Sequence, residues 1–291
     1  MIRIENLSKT FRRHRVLDAV NLGLADGDRV ALIGANGAGK TTLIRCLLGE
    51  YVCEGSIEIR GLAPRAARTE VLRRVGFVPQ VPPPLGLAVG QLLHYAASLC
   101  GADPSRMEEI ARRLGLDPRE KWRQPFVKLS GGQKQKLLIA VALGRETDVL
   151  ILDEPAANLD PQGRRMFFEL LAERDASGVM LLSSHRLDEV ASLVNRVVEL
   201  DQGRVVLDDR VADPARLDTL LDCHLRLSRR EPAAALALES WHLRDGGDGL
   251  SWQGTIAGAD RLRFLGLLSR YSGLIEGLSL EERSMSERRN P

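Results

Sequence analysis

Apolar and polar residues alternate over residues 1–5 and again over 16–24, the period expected of strands with one buried face. A third strand, Arg29 to Ile33, runs into a glycine-rich loop and then a helical stretch, Thr41 to Leu48, which Gly49 closes as a C-terminal cap. Residues 55–61 and 75–78 read as short strands, after which Pro82, Pro83 and Pro84 stop any helix from running through. Helical periodicity then governs Val89 to Ala97, Ser105 to Leu114 and Gly131 to Leu143, interrupted at Gly101, Pro104, Pro118 and Pro125. The apolar run Val149 to Leu152, the helix Gln162 to Ala176, the run Val179 to Ser183 and the helix Leu187 to Val194 restore strand-helix alternation. Such alternation implies a parallel sheet.

Beyond about residue 212 the pattern changes. A strand over Cys223 to Leu227 is followed by a helix over Glu231 to Glu239 and a hairpin turned by Asp245 to Gly249. A helix over Asp260 to Tyr271 and a strand over Leu274 to Leu280 complete the set. The order β-α-β-β-α-β predicts a small ferredoxin-like α+β domain.

Composition narrows the field without choosing within it. A length of 291 residues suits one large α/β domain with such an appendage. The balance of 41 basic against 39 acidic residues, a formal charge of +2, gives no field that argues for nucleic acid or an anionic membrane as a partner. The basic run Arg12, Arg13, His14, Arg15 reads as a solvated loop. No apolar stretch approaches the roughly 18 to 20 residues of a membrane-spanning helix, and the first residues lack the apolar centre of a signal peptide, so a cytoplasmic chain is expected. The four cysteines, Cys46, Cys53, Cys100 and Cys223, stand far apart, as packed or idle thiols in a reducing compartment do.

The chemistry concentrates in three motifs. Residues 34–41, from Gly34 through Asn36, Gly37 and Gly39 to Lys40 and Thr41, match G-x-x-x-x-G-K-[ST] between a predicted strand and a predicted helix. Glycines let successive N–H groups turn inward on phosphate oxygens. Lys40 supplies charge to the β and γ phosphates, Thr41 offers a hydroxyl to Mg²⁺, and Thr42 reaches for the α phosphate. The apolar strand ending in Asp153 and Glu154 places two carboxylates at the ligand-binding edge of a sheet. There Asp153 would hold Mg²⁺ and Glu154 would act as general base towards water; taken alone, the pattern is equally a strand entering a charged turn. Leu129-Ser130-Gly131-Gly132-Gln133 opens a helix. Ser130 with Gln133 makes a capping box. Capping does not call for both glycines, whereas a helix N-terminus that presents a hydroxyl and glycine N–H groups to an anion does.

The two ATPase motifs and Leu-Ser-Gly-Gly-Gln, in that order, resemble the nucleotide-binding subunit of ABC transporters. The resemblance covers residues 1 to about 212 and implies a P-loop (RecA-like) α/β core, an antiparallel β subdomain and a helical signature subdomain at about 82–144, with residues 213–291 as a separate C-terminal domain. It also implies roles for single residues that, alone, read as structural. Gln80 matches the glutamine that touches Mg²⁺ and relays contact to the membrane subunit, and Asn158-Leu159-Asp160 matches the D-loop. His185 matches the switch histidine at the γ-phosphate, and Phe11 stands where an aromatic ring stacks on adenine, in place of the commoner tyrosine. Lys134 and Lys136 stand where arginines are frequent.

The resemblance further implies MgATP as ligand and a head-to-tail dimer. Lys40, Thr41, Asp153, Glu154, Gln80 and His185 of one copy would face Ser130 and Gly132 of the other. A separate permease would hold the subunit on the cytoplasmic face of the inner membrane. A single motif set and the ending Leu278-Ser-Leu-Glu-Glu282 resemble bacterial exporter subunits. An importer ATPase is the nearest alternative; a soluble ABC-type ATPase of translation or DNA repair is the next, although those generally carry two ATPase units or a long coiled coil.

Overall fold

In the computed structural model the alternation at the start of the chain becomes a hairpin of β1 (Ile2–Phe11) and β2 (His14–Leu24), with β4 (Glu54–Ile59) on the other edge of β1. All residues are described except 1, 146, 176, 185–189, 191–192, 211–219, 262–263, 265–266, 269–270 and 283–291. Both hairpin strands are longer than alternation predicts. They absorb half of the basic run: Arg12 and Arg13 make the turn, whereas His14 and Arg15 belong to β2. Arg15 is held there by donating to Asp18 Oδ1 at 2.7 Å.

A second sheet takes β3 (Arg29–Ile33), β5 (Val75–Val78), β6 (Val149–Asp153), β7 (Val179–Ser183), β8 (Arg196–Asp201) and β9 (Arg204–Arg210) in the order β5-β6-β7-β3-β8-β9. The first five are parallel. β6 and β7 are buried at every position, which is why they read as unbroken apolar runs. The sheet is not parallel throughout: β9 returns antiparallel to β8 through Gln202 and Gly203, both at positive φ (46° and 77°), the turn geometry of a tight hairpin.

Helix α1 (Lys40–Leu47) packs against β2 and β4 of one sheet and β6 of the other. Its buried side chains Leu43, Ile44, Cys46 and Leu47 join one core with Ile2, Leu17, Leu32 and Ile151. Burial pushes the Cys46 thiol up to about 12, with Cys53 as a secondary influence, so it is a packing group and no nucleophile at neutral pH. The short helix α2 (Arg68–Arg74) buries only Val71, too little periodicity to be legible in sequence. Helices α3 (Val89–Cys100), α4 (Pro104–Arg113) and α5 (Gly131–Leu143) form the helical region with a core of Val89, Leu93, Met107, Phe126 and Leu137. Helix α6 (Pro161–Glu173) follows β6, and the predicted helix Leu187 to Val194 falls mostly outside the described residues.

These elements form the first of two compact units. The second contains β10 (Leu220–Leu227), α7 (Pro232–Glu239), β11 (Arg244–Asp245), β12 (Ser251–Ala257) and β13 (Ile275–Glu282). Among the residues between β12 and β13, Arg261, Phe264, Leu267 and Leu268 are helical. The sheet order is β11-β12-β10-β13 with every neighbour antiparallel. Each helical crossover therefore spans one intervening strand, the split β-α-β arrangement expected of the sequence order. Cys223, Leu225, Leu238, Trp252, Ile256 and Phe264 fill its core, and burial raises the Cys223 thiol to about 11.

One buried ion-pair group ties the edge of the six-stranded sheet. Asp28, 1% exposed, meets Arg196 Nη1 at 2.7 Å and Arg210 Nη1 at 2.9 Å, while Arg196 also forks onto Asp208 at 2.7 and 2.6 Å. Removing Asp28 leaves the buried Arg196 with Asp208 as its remaining carboxylate and unpairs the Ala25 N–H, which costs about 2 kcal/mol. The Asp28→Ala variant is therefore expected to lose about 2 kcal/mol of stability in urea denaturation followed by circular dichroism; a loss below about 0.5 kcal/mol would show the group to be solvent-compensated.

Candidate functional site

The loop after β3 is shaped by what surrounds it. At Gly34 (φ 145°) a Cβ would lie 2.2 Å from the carbonyl oxygen of Leu200, and at Gly39 (φ 109°) it would lie 2.9 Å from Leu17 Cδ2 and 3.0 Å from the carbonyl oxygen of Val16. Only glycine fits either position. Lys40 opens α1 and is 6% exposed; its Nζ donates to the carbonyl oxygens of Gly34 at 2.7 Å and Ala35 at 3.2 Å. The ammonium thus lies within the curl of the loop, at the positive end of α1, whose first turn carries no acidic residue. Thr41 and Thr42 follow on that first turn, both half-buried. A loop of this form, with an ammonium inside it and a helix N-terminus behind it, is an anion cradle.

The carboxylates stand at the same edge of the sheet. Asp153 ends β6 at 2% exposure, directly across from Ser183 at the end of β7. Ser183, fully buried, donates from Oγ to Asp153 Oδ1 at 2.6 Å and accepts from the Glu154 N–H at 2.9 Å. One hydroxyl therefore fixes both acidic residues. Glu154 adopts a left-handed backbone (φ 45°), an uncommon conformation for a residue with a side chain, costing about 1 kcal/mol. Its Oε2 accepts from Gln80 Nε2 at 3.3 Å, which joins the end of β5 to the end of β6. The residues expected to hold a metal would offer it the Asp153 carboxylate, the Thr41 hydroxyl and the Gln80 amide oxygen. Among the described residues no group of three or more His, Cys, Asp or Glu side chains converges. A small set of hard oxygens fits Mg²⁺, which keeps waters and takes ligands from phosphates instead of needing a protein cage.

The third motif starts α5. Ser130 is exposed and caps the helix: Oγ accepts from the Gln133 N–H at 3.3 Å, and Gln133 Oε1 accepts from the Ser130 N–H at 3.1 Å. Gln133 is thus occupied as a cap, while the Ser130 hydroxyl keeps its proton to donate. Gly132 lies so close to the Asn158 carbonyl that a Cβ would sit 3.1 Å from it. Asp160 caps α6 through the Gly163 N–H and pairs with Lys136 Nζ at 2.7 Å; the hydrogen bond from Lys136 holds its carboxyl below the usual range.

Phe11 ends β1 at the hairpin tip, 37% exposed. The same hairpin packs Val16 and Leu17 against Gly39 of the cradle. The Phe11 ring meets Tyr51 edge-on at 5.2 Å, and Lys9 Nζ lies 4.6 Å from its centroid. His185 lies outside the described residues. Sequence reasoning missed Ser183, Tyr51 and the wholly buried Gln135. A serine closing the apolar run of β7 in register with Asp153 was the available signal for the first, and a glutamine at a core-facing helical position for the last.

Comparison with known proteins agrees with this arrangement. The ABC transporter family matches residues 17–157. The lantibiotic transport ATP-binding protein SrtF of Streptococcus pyogenes is 30% identical over 233 residues, 79% of this chain and 100% of its own length. The aliphatic sulfonates import ATP-binding protein SsuB of Frankia casuarinae is 37% identical over 74% of this chain and 68% of its own. A putative ABC transporter ATP-binding protein of Methanosarcina mazei is 35% identical over 73% of this chain, which spans only 39% of that longer protein. A solved structure of an ATP binding subunit of an ABC transporter superposes with a TM-score of 0.67 at 29% identity, covering 72% of this chain and 90% of that one. Identity at this level along a relative's entire length, on a shared fold, carries the classification: the chain belongs to the ABC transporter family and is one of its ATP-binding, ATP-hydrolysing subunits.

Proposed function

We propose that this subunit hydrolyses MgATP at the edge where β3, β5, β6 and β7 end, between two copies of itself arranged head to tail, and drives export through a separate permease. The observation that carries the reading is the meeting of three groups at one sheet edge: Lys40 inside its loop, the Asp153 and Glu154 pair fixed by Ser183, and Gln80 bonded to Glu154. Lys40 and the N-terminus of α1 bind the phosphates, and Phe11 stacks on the base. Mg²⁺, held by Thr41, Asp153 and Gln80, would neutralise charge spreading over the phosphoryl oxygens. Glu154 orients a water for in-line attack and takes its proton, with His185 at the γ-phosphate.

Ser130 and Gly131 are exposed at the start of α5, available to a second molecule. The partner copy's Ser130 hydroxyl and Gly132 N–H then donate to the same γ-phosphate, with Gln133 as the cap that holds them and Asp160 at the facing loop. ATP closes the pair, and loss of the γ-phosphate opens it. In this reading residues 1–212 form the ATP-binding domain and residues 213–291 an accessory domain.

Export rests on the resemblance of the C-terminal segment to exporter subunits; import is the alternative, since both export and import occur among the relatives' names. No helix among the described residues is long and apolar enough to cross a membrane, which fits a subunit that meets the membrane only through its permease. Purification from membranes is expected to bring a multi-spanning protein with it, whereas purification from both soluble and membrane fractions without one would favour the soluble reading.

Lys40→Ala removes the charged donor and should weaken ATP binding about 10- to 100-fold in a fluorescence titration; wild-type affinity would remove the cradle assignment. Glu154→Gln should bind ATP normally, hydrolyse it about a hundredfold more slowly, and accumulate as a dimer on size exclusion with ATP. Undiminished turnover would refute Glu154 as the base.

A further inference from the structure

Gln135 is the buried polar residue of α5 that this reading leaves without a role. It is 0% exposed, in a helix whose other buried positions are Leu137, Ile139, Ala140, Ala142 and Leu143. The pattern would accept leucine. Glutamine instead sends the two hydrogens of Nε2 to the carbonyl oxygen of Pro79 at 3.4 Å and to that of Pro155 at 3.1 Å. Turning the amide over would set its oxygen against both carbonyls, so these two acceptors fix its orientation. Its Oε1 is buried with no donor among the described residues, an arrangement that packing alone would not select.

The two acceptors are informative because of what adjoins them. Pro79 immediately precedes Gln80, and Pro155 immediately follows Glu154, the two residues already joined at 3.3 Å. The neighbouring Lys136 holds Asp160 at 2.7 Å, and Gly132 brings the start of the helix against Asn158. The first two turns of α5 are thus bonded or packed to every loop that contributes a predicted residue from β5, β6 or the start of α6. A single planar amide spanning two carbonyls sets their separation far more narrowly than an apolar contact would.

We infer that Gln135 is a positioning residue for ATP hydrolysis, tying the loops that carry Gln80 and Glu154 to the helix whose N-cap, Ser130, is offered to the partner's nucleotide. The inference rests on the proposed dimer and on Glu154 as base. In it, one subunit's hydrolytic loops and its donor to the other subunit's γ-phosphate move as one body. The state of one nucleotide is thereby felt at the second.

The test uses the full chain carrying Gln135→Leu, which keeps the packing, and Gln135→Met, which keeps the length and cannot donate. Both are expected to lower kcat about tenfold or more, with KM and the affinity for a fluorescent ATP analogue within about twofold of the native chain and an unchanged thermal midpoint. Placed in the Glu154→Gln background, both should also abolish the ATP-dependent dimer at concentrations where Glu154→Gln alone dimerises. A native kcat in both variants overturns the inference. So does a parallel fall in kcat, affinity and thermal midpoint, which marks a residue that only packs. Failure of Glu154→Gln itself to slow turnover instead overturns the underlying reading of the site.

Discussion

A lysine ammonium with 6% exposure, held inside a curl of backbone, is the feature from which the rest of the ATP-binding unit follows. Buried charge is tolerable only where every donor finds an acceptor. Two of the acceptors here are carbonyls of the loop itself. That demand sets the glycines, because the loop must wind tightly while Leu200, Leu17 and Val16 press on it from outside. It also sets the packing of α1 between two sheets, since a helix free to shift could not keep its first residue aimed into the loop.

The acidic half of the site is governed by a different economy of contacts. Ser183 makes one hydroxyl serve two residues, so Asp153 and Glu154 are placed relative to β7 as well as to their own strand. The left-handed backbone at Glu154 turns the chain sharply at the strand end, and this is what brings its carboxylate to Gln80 instead of letting it continue along the sheet. A strained residue persists only where its surroundings over-determine it. The hydrogen bonds to Ser183 and from Gln80, with Gln135 behind Pro155, supply that determination.

What the sequence made legible follows from how local each feature is. β3, β5, β7 and α5 stand at their predicted bounds because unbroken apolar runs, a capping serine and breakers mark them within a few residues. The phosphate loop was legible for the same reason: its spacing is contiguous. Features that depend on a partner element were not. β9 turns antiparallel because of two positive-φ residues that no periodicity announces, and α2 buries too little to show a period. Ser183 and Gln135 gain their meaning from register and from loops 30 and 20 residues away, respectively, so residue type and position mark them in the sequence without naming their partners. Gln133 shows the converse: it was legible as half of a capping box, and the structure uses it as one; Asp160, legible only through the resemblance as part of the D-loop, caps α6 within one copy.

The walls of the cradle have an origin in the chain that bears on how the protein is made. Gly34 rests on Leu200, and Gly203 donates to Ala38 at 3.0 Å while accepting from Asp18 at 2.9 Å. The nucleotide loop, complete in sequence by residue 41, therefore lacks its supporting surface until a strand more than 150 residues downstream has left the ribosome and docked. During synthesis the motif therefore exists before the surface that shapes its loop, and the cradle is completed only with the finished sheet.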